Sequence, residues 1–459
     1  MSARLAELRA GLRSELGPMF RLAWPVATAE LGWMAMGLVD LMMVGRVSAE
    51  AIGAVSIGSN LFFAVAIFGI GMLLGLDYLI AHALGARRVD DARAALVHGL
   101  YLAALLAVVL SALLFALPSQ LETFGIQPAV AREAGPYLRA LTCSMLPLLL
   151  YTAVRRYLQA LGLVRAVMVA LVSANVVNAL VNWILIFGNF GFPALGAEGS
   201  GWATCASRVY LLLFLLAYAG WYEHRHGAGL ALPWRFEPQR FRQLLHLGLP
   251  AAVQTVLEVG VFATVTVLAG RLAADQLAAH QIALSAAAFS WMVPLGISSA
   301  AAVRVGRAVG RRDAAAAVRA GWTALLLGAS FMTCSAIAFV TVPRHIIGVF
   351  TSDPTVMQAG VALLAVAAVF QLFDGVQVVA TGALRGAADT RTPMLASLVG
   401  YWGIGLPLGY ALCFAFDVGV IGLWIGLSAA LISVATALTA VWSLRTRELV
   451  RECAARRAA

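Results

Sequence analysis

LAWPVATAELGWMAMGLVDLMMVGRVSAEAIGAVSI, residues 22–57, and LGLPAAVQTVLEVGVFATVTVLAGRLAADQLAAHQI, residues 247–282, are one pattern written twice. A constant offset of 225 sets Pro25 against Pro250, Gly45 against Gly270 and Arg46 against Arg271, and it runs without a gap to Gly85 against Gly310. Residues 158–165 then meet 384–391 at an offset of 226. Each copy opens on an apolar run, and about 20 such residues make a helix that crosses the hydrocarbon layer of a bilayer. The repeat predicts an all-α polytopic membrane protein, twelve transmembrane helices in two pseudo-symmetric six-helix lobes. Six crossings per copy leave both copies in one orientation, a parallel repeat about an axis along the membrane normal.

Composition excludes the soluble classes. Hydrophobic residues make up 62% of the 459 and charged residues 12%, where soluble domains hold roughly 45–50% and 25%. The net charge of +10 comes entirely from arginine, since the chain has no lysine. These arginines lie between apolar runs and never form a basic patch interleaved with aromatics, so no nucleic-acid partner is expected. Five scattered cysteines without CxxC spacing give neither a zinc site nor a disulfide framework.

Apolar runs cover about 19–44, 52–84, 94–117, 135–161, 166–189 and 199–221, then 244–270, 278–303, 316–342, 357–384, 393–416 and 420–444. With both termini cytoplasmic, only Arg46, Arg132, Arg139, Arg271 and Arg344 fall outside, and Arg208 lies within a span. The positive-inside rule selects that orientation. The expected organisation is a cytoplasmic amphipathic N-terminus (1–18), an N-lobe (19–221), a cytoplasmic linker (222–243), a C-lobe (244–444) and a cytoplasmic tail (445–459). The start, MSARLAELRAGLRSELG, carries no cleavage site, so the first span itself is expected to direct insertion.

Acids inside apolar runs carry the most information, because a charge at mid-span costs about 2.5–3.5 kcal/mol on insertion scales. Glu30, Asp40, Asp77, Glu258 and Asp374 are the candidates, and none has a basic residue within one turn on its own span. Asp374 shares a helix face with Gln371, Gln377 and Thr381, and Gln254 precedes Glu258 by one turn. Each acid is a candidate proton carrier or, alternatively, a protonated group bonded to a neighbouring helix. Asn175, Asn178 and Asn182 could hold a cation or relay hydrogen bonds to Asp40, or equally serve as interhelical glue.

Other signals carry less. GIGMLLG at 69–75 is explained by close helix packing, no Walker A motif is present, and the DDAR beginning at Asp90 is not DDxxD. His224 and His226 have no further ligands at metal spacing. His280 reads as a hydrogen-bonded packing histidine, with Gln281 beside it as a secondary candidate along with Glu30 and Asp77.

WPV at 24–26, MGLVDLMMVG at 36–45, NALVNWILIFGNFG at 178–191, LEVGVF at 257–262, AAHQIAL at 278–284 and FDGVQVVATGALRGAADTR at 373–391 together resemble the multidrug and toxic compound extrusion (MATE) transporters, in the NorM-like branch. The resemblance spans nearly the whole chain. It implies two V-shaped lobes and export of cationic amphipathic compounds against a proton or sodium gradient. On that resemblance Asp40, Asn178, Asn182 and Thr204 form the coupling cluster of the amino lobe. Some archaeal relatives have an aspartate where Asn182 stands. Glu258 and Asp374 are the acids of the carboxy lobe, and Asp77 resembles an acid of eukaryotic-type members. The branch usually has tyrosine where this chain has Phe370, and losing that hydroxyl favours protons over sodium, since a hard cation wants oxygen ligands.

The expected mechanism is antiport. Protons (or sodium) load onto Asp40 or the Glu258–Asp374 pair, and Pro25 gives the first span a bending point. Drug contact is expected at Asp40, Trp33, Met34, Met36, Gln254, Glu258, Asp374 and Gln377. No cofactor is expected beyond the transported ion. The partners would be cationic drugs and membrane lipids, the protein a monomer, and its place a bacterial inner membrane. A flippase of lipid-linked precursors is the rival within this architecture and would need a cluster of cavity-facing arginines. A membrane-embedded enzyme is the rival from another class and would need catalytic groups converging at one membrane face.

Overall fold

The computed structural model describes residues 2–121, 123, 126–225 and 232–458, with the side chains of 2–14, 120 and 452–458 excepted. Among the described residues there is no strand. Eleven helices are long and apolar enough to cross a membrane, and a bent pair makes a twelfth. They are α1 (Glu15–Val44), α2 (Ala49–Gly85), α3 (Val89–Ser119), α4 (Pro128–Thr142 joined to Met145–Leu161), α5 (Val164–Phe187) and α6 (Ala197–Arg225). The second set is α7 (Pro238–Ala269), α8 (Ala274–Gly310), α9 (Ala314–Thr341), α10 (Pro354–Gly386), α11 (Arg391–Ala415) and α12 (Val420–Arg451). The α1 helix itself begins at Ser2, so the amphipathic start runs on into the first span without a break.

Local irregularities have residue-level causes. The α4 span bends by 42° between Thr142 and Met145. Pro147, just past the bend, has no N–H to return to the carbonyl four residues earlier. Ser144 at the bend donates to the Leu141 carbonyl instead (2.5 Å). In α11, π-helical turns at Leu398–Gly405 and Ala411–Ala415 flank Pro407. Extra residues per turn are how a helix absorbs a missing donor without breaking. Ser48 caps the start of α2 and Asp313 that of α9 by accepting from backbone N–H groups (3.0 and 2.9 Å).

The repeat read in the sequence extends to the backbone. Arg87 and Arg312 both adopt left-handed φ (59° and 58°), and so do Gly162 and Ala388 (82° and 66°). These pairs stand at the same offsets of 225 and 226. Left-handed φ is uncommon outside glycine, so its recurrence at matched positions shows that both copies turn at the same points.

Two compact units result. The first comprises residues 28–80 and 88–252, the second 1–27, 81–87 and 253–459. The division therefore runs through α1, α2 and α7. The breaks after Ala27 and Ala252 again differ by 225, and each follows a paired proline, Pro25 or Pro250, by two residues. Within the second unit α10 packs on α8, α9 and α12, over a core of small residues such as Ala301, Ala317 and Ala383 closed by Trp442. Small residues let helices approach closely where lipid removes the hydrophobic drive for association. Large apolar side chains such as Val108, Val176, Leu213 and Val340 point outward, as a lipid-facing surface requires.

Candidate functional site

In the first unit the cluster is built on Asp40, late in α1 and buried. Asn182 of α5 donates its amide N–H to Asp40 Oδ1 (2.6 Å), and Thr204 of α6 donates its hydroxyl to Oδ2 (2.9 Å). The same Asn182 amide donates to Asn178 Oδ1 one turn earlier (3.1 Å). Three helices thus converge on one carboxylate, and the donors turn their hydrogens toward it. Asn175, two turns before Asn182 on the same face of α5, donates to the Gly32 carbonyl (2.9 Å), an interhelical tie. Met36 is buried and Trp33 half-buried on α1.

Arg208, one turn beyond Thr204 on α6, was noted in the sequence as the lone arginine within a span. Its guanidinium lies over the rings of Phe62 (4.5 Å) and Trp33 (5.6 Å) and donates to Ser144 Oγ at the α4 bend (2.5 Å).

Glu30 and Asp77 fare differently. Arg155 pairs with Glu30, and Arg156 lies 3.5 Å from Asp77. Both arginines had been read as cytoplasmic-side charges, yet they are buried on the second half of α4. The rule of one turn on the same span held for these acids, but their cations come from another helix. A third pair, Arg93 to Glu223 (2.5 Å), is completed by the Tyr157 hydroxyl donating to Glu223 (2.9 Å). Buried charges persist when paired and hydrogen-bonded, so Glu30 and Asp77 have a structural occupation that Asp40 lacks.

In the second unit Glu258 of α7 and Asp374 of α10 lie within electrostatic reach of one another, and among the described residues no ion pair is found to either. Gln377 faces Glu258 without a full hydrogen bond, and Gln254 is buried one turn before that acid. Gln371 instead turns to Ser290 and to Ser335 (3.1 Å). The sequence did not anticipate Tyr401. Carried by the π-helical turn of α11, it is fully buried, its hydroxyl makes no hydrogen bond, and it lies within electrostatic reach of both acids. Its ring packs on Phe262 (6.4 Å), which packs edge-on against Phe370 (6.0 Å). A phenol is therefore supplied to the acid pair from another helix, beside the phenylalanine that lacks one.

His280 is held from both sides. Trp424 Nε1 donates to His280 Nδ1 (3.1 Å), which leaves Nε2 to carry the hydrogen and donate to Thr266 Oγ1 (3.0 Å). Thr266 in turn donates to the Phe262 carbonyl (3.0 Å). A donor pointing at Nδ1 holds the ring neutral, so it is a packing group. Gln281 is exposed. His226 and residues 226–231 of the expected linker lie outside the described residues. Residues 232–237 dock on α3, where Glu237 N–H donates to His98 Nε2 (2.9 Å) and Tyr101 to the Trp234 carbonyl (2.9 Å).

A family model described as MatE matches residues 25–184 and 250–411, once in each half. A relative described as "Probable multidrug resistance protein NorM", from Mesorhizobium japonicum, is 40% identical over 443 residues, covering 95% of each chain. One with the same description from Brucella suis is 37% identical over 440 residues, covering 93% of each. Among solved structures, "Crystal structure of eukaryotic MATE transporter AtDTX14" superposes with a TM-score of 0.85 at 20% identity, covering 96% of this chain and all of that one.

Proposed function

The chain belongs to the MATE family of membrane transporters, and from that premise we propose that it is a secondary active multidrug exporter. It takes cationic amphipathic compounds outward in exchange for protons. The observation that carries this is the state of the acids. Glu30 and Asp77 are occupied by arginines, whereas Asp40 in one unit and the Glu258–Asp374 pair in the other stand without a direct ion pair. An unpaired carboxylate in a low-dielectric interior is stable only when neutralised, and proton uptake or a cationic substrate can each do that. Competition between the two for the same acids is antiport.

At Asp40 both oxygens already accept hydrogen bonds, and the groups around them are N–H and O–H donors. Such a shell suits a carboxylate that gains and loses a proton. Release of those bonds on protonation would loosen α1 from α5 and α6, and Pro25 is where α1 can bend. Trp33, Met34 and Met36 on the same helix offer the drug apolar, adaptable contact. Sodium as the coupled ion is a second reading, favoured by the Tyr401 hydroxyl beside Glu258 and Asp374. The protein sits in a bacterial inner membrane with both termini cytoplasmic, as the arginine distribution directs. It needs no bound cofactor, works as a monomer and is not an enzyme. The lobes of this reading are residues 19–221 and 244–444, joined by 222–243.

The test is efflux of a fluorescent organic cation from proteoliposomes under a pH gradient or a sodium gradient imposed separately. Drug export driven by the pH gradient, and lost in a D40N/E258Q/D374N triple variant, is the expected result. Unaltered export in the triple variant overturns the assignment of the acids.

A further inference from the structure

We infer that Arg208 is the built-in cation of the Asp40 cluster, a positioning residue that keeps this site open to protons and closed to sodium. The inference rests on the proton-coupled reading of Asp40 and names what makes that site selective.

The geometry is that of two facing helix surfaces. On α6, Thr204 and Arg208 are one turn apart and share a face; on α1, Trp33 and Asp40 are two turns apart and share a face. Thr204 reaches Asp40 at 2.9 Å while Arg208 reaches Trp33 at 5.6 Å. The guanidinium is thus confined along the same seam as the carboxylate. It is held there by Phe62 beneath it at 4.5 Å and by Ser144 Oγ at 2.5 Å. It is buried, and its Nε has no hydrogen-bond partner. Tyr137 of α4 is the other titratable side chain facing Asp40. Asn178, Asn182 and Thr204 complete the surroundings.

Phe62, Trp33 and Ser144 offer no negative charge, and Arg208 and Asp40 attract one another along the seam without a direct ion pair. Placing an arginine on aromatic faces and a hydroxyl fixes it without forming a direct ion pair. The arrangement leaves the Asp40 oxygens to Asn182 and Thr204. A sodium ion has different needs: several oxygen ligands around it and no fixed positive charge nearby. At Asp40 the donors present hydrogens and the fixed charge is already positive. A proton needs only one carboxylate oxygen, so the site accepts it. Among the described residues no such arginine acts on the Glu258–Asp374 pair of the second unit, so the selectivity is confined to Asp40.

The experiment is binding of radioactive sodium to the purified full-length protein, read as the part that depends on Asp40. That part is the difference between each protein and its D40N counterpart. The wild type is expected to show none. R208Q should acquire an Asp40-dependent sodium site, at least about tenfold tighter than any in the wild type, as removal of a nearby unit charge requires. D40N/R208Q should lose it again, and R208K, which keeps the charge, should bind no sodium. Asp40-dependent sodium binding in the wild type overturns the inference, as does its absence from R208Q eluting as a single folded species. If R208Q does not fold, R208M, which removes the charge but keeps an unbranched side chain over the Phe62 ring, is read the same way; no sodium response there overturns the inference. The proton reading itself fails separately, when a pH gradient does not drive drug export by the wild type.

Discussion

Gly71 and Ala252 touch so closely that a Cβ built on Gly71 would lie 2.6 Å from the Ala252 Cα. Gly296 and Ala27 repeat the relation, with a Cβ on Gly296 lying 2.6 Å from the Ala27 nitrogen. Both partners in the second contact stand 225 residues from their counterparts in the first. Ala27 and Ala252 are the last residues of the α1 and α7 segments before each helix passes into the other unit. Close backbone approach at a glycine therefore helps tie each starting segment into its unit.

Adding a methyl at either glycine forces backbone apart. G71A and G296A are each expected to destabilise the protein by about 1–3 kcal/mol, the usual cost of overpacking. Apparent melting temperature in detergent measures this. A melting point equal to wild type in both variants contradicts the close contact.

The Arg155–Glu30 pair predicts a double-mutant cycle. Removing one partner leaves a buried charge alone, a loss of about 3–5 kcal/mol, whereas replacing both is far milder. E30Q and R155M should each lower the melting temperature strongly, and E30Q/R155M should recover most of the loss. Additive losses would show that the pair is not coupled.

For Asp40, the partners set the scale. A buried hydrogen bond to a charged group contributes about 1.5–3 kcal/mol, so N182A and T204V should each reduce pH-gradient-driven export by roughly ten- to a hundredfold. Export per folded molecule is the measurement, and H280Q is the control. His280 is tied to Trp424 and Thr266, so its loss should lower stability while leaving the dependence of export on the gradient unchanged.

Asp353 gives a pH-dependent cap outside the membrane. Its carboxylate accepts from Thr355 N and Oγ1 and from Val356 N (2.8, 2.6 and 3.3 Å). These bonds, the Thr355 hydroxyl first, hold its pKa below the ordinary 3.8. A depressed folded value means the cap's contribution is full above that ordinary value and fades as pH falls through the lowered one. D353A should therefore speed amide exchange at Thr355 and Val356 at neutral pH. Wild type should show that faster opening only in strong acid.

Much of this protein was legible in one dimension because a bilayer reduces folding to a few rules. Apolar runs near 20 residues must be helices, since no water is present to satisfy open backbone. The offset of 225 then carried the pseudo-symmetry, down to the matching left-handed turns at Arg87 and Arg312. Asp40, Asn178, Asn182 and Thr204 could be named in advance, and they converge. What could not be read is what each buried charge meets. Arg155 and Arg156 stand near the end of the run at 135–161 and counted as cytoplasmic-side charges, yet in α4 they are buried against Glu30 and Asp77. Tyr401 was silent because its helix gives no local hint that a π-turn presents it to acids far away in sequence.

Hydropathy and periodicity, properties of neighbours along the chain, determined by themselves the all-helical class, the spans and the repeat. Tertiary structure alone decided which acids meet an arginine and which do not, and where α1 and α7 pass from one unit to the other. Electrostatic partners and close packing depend on distances between helices, and those distances come from how the helices pack and from the 42° bend in α4 rather than from the order of residues.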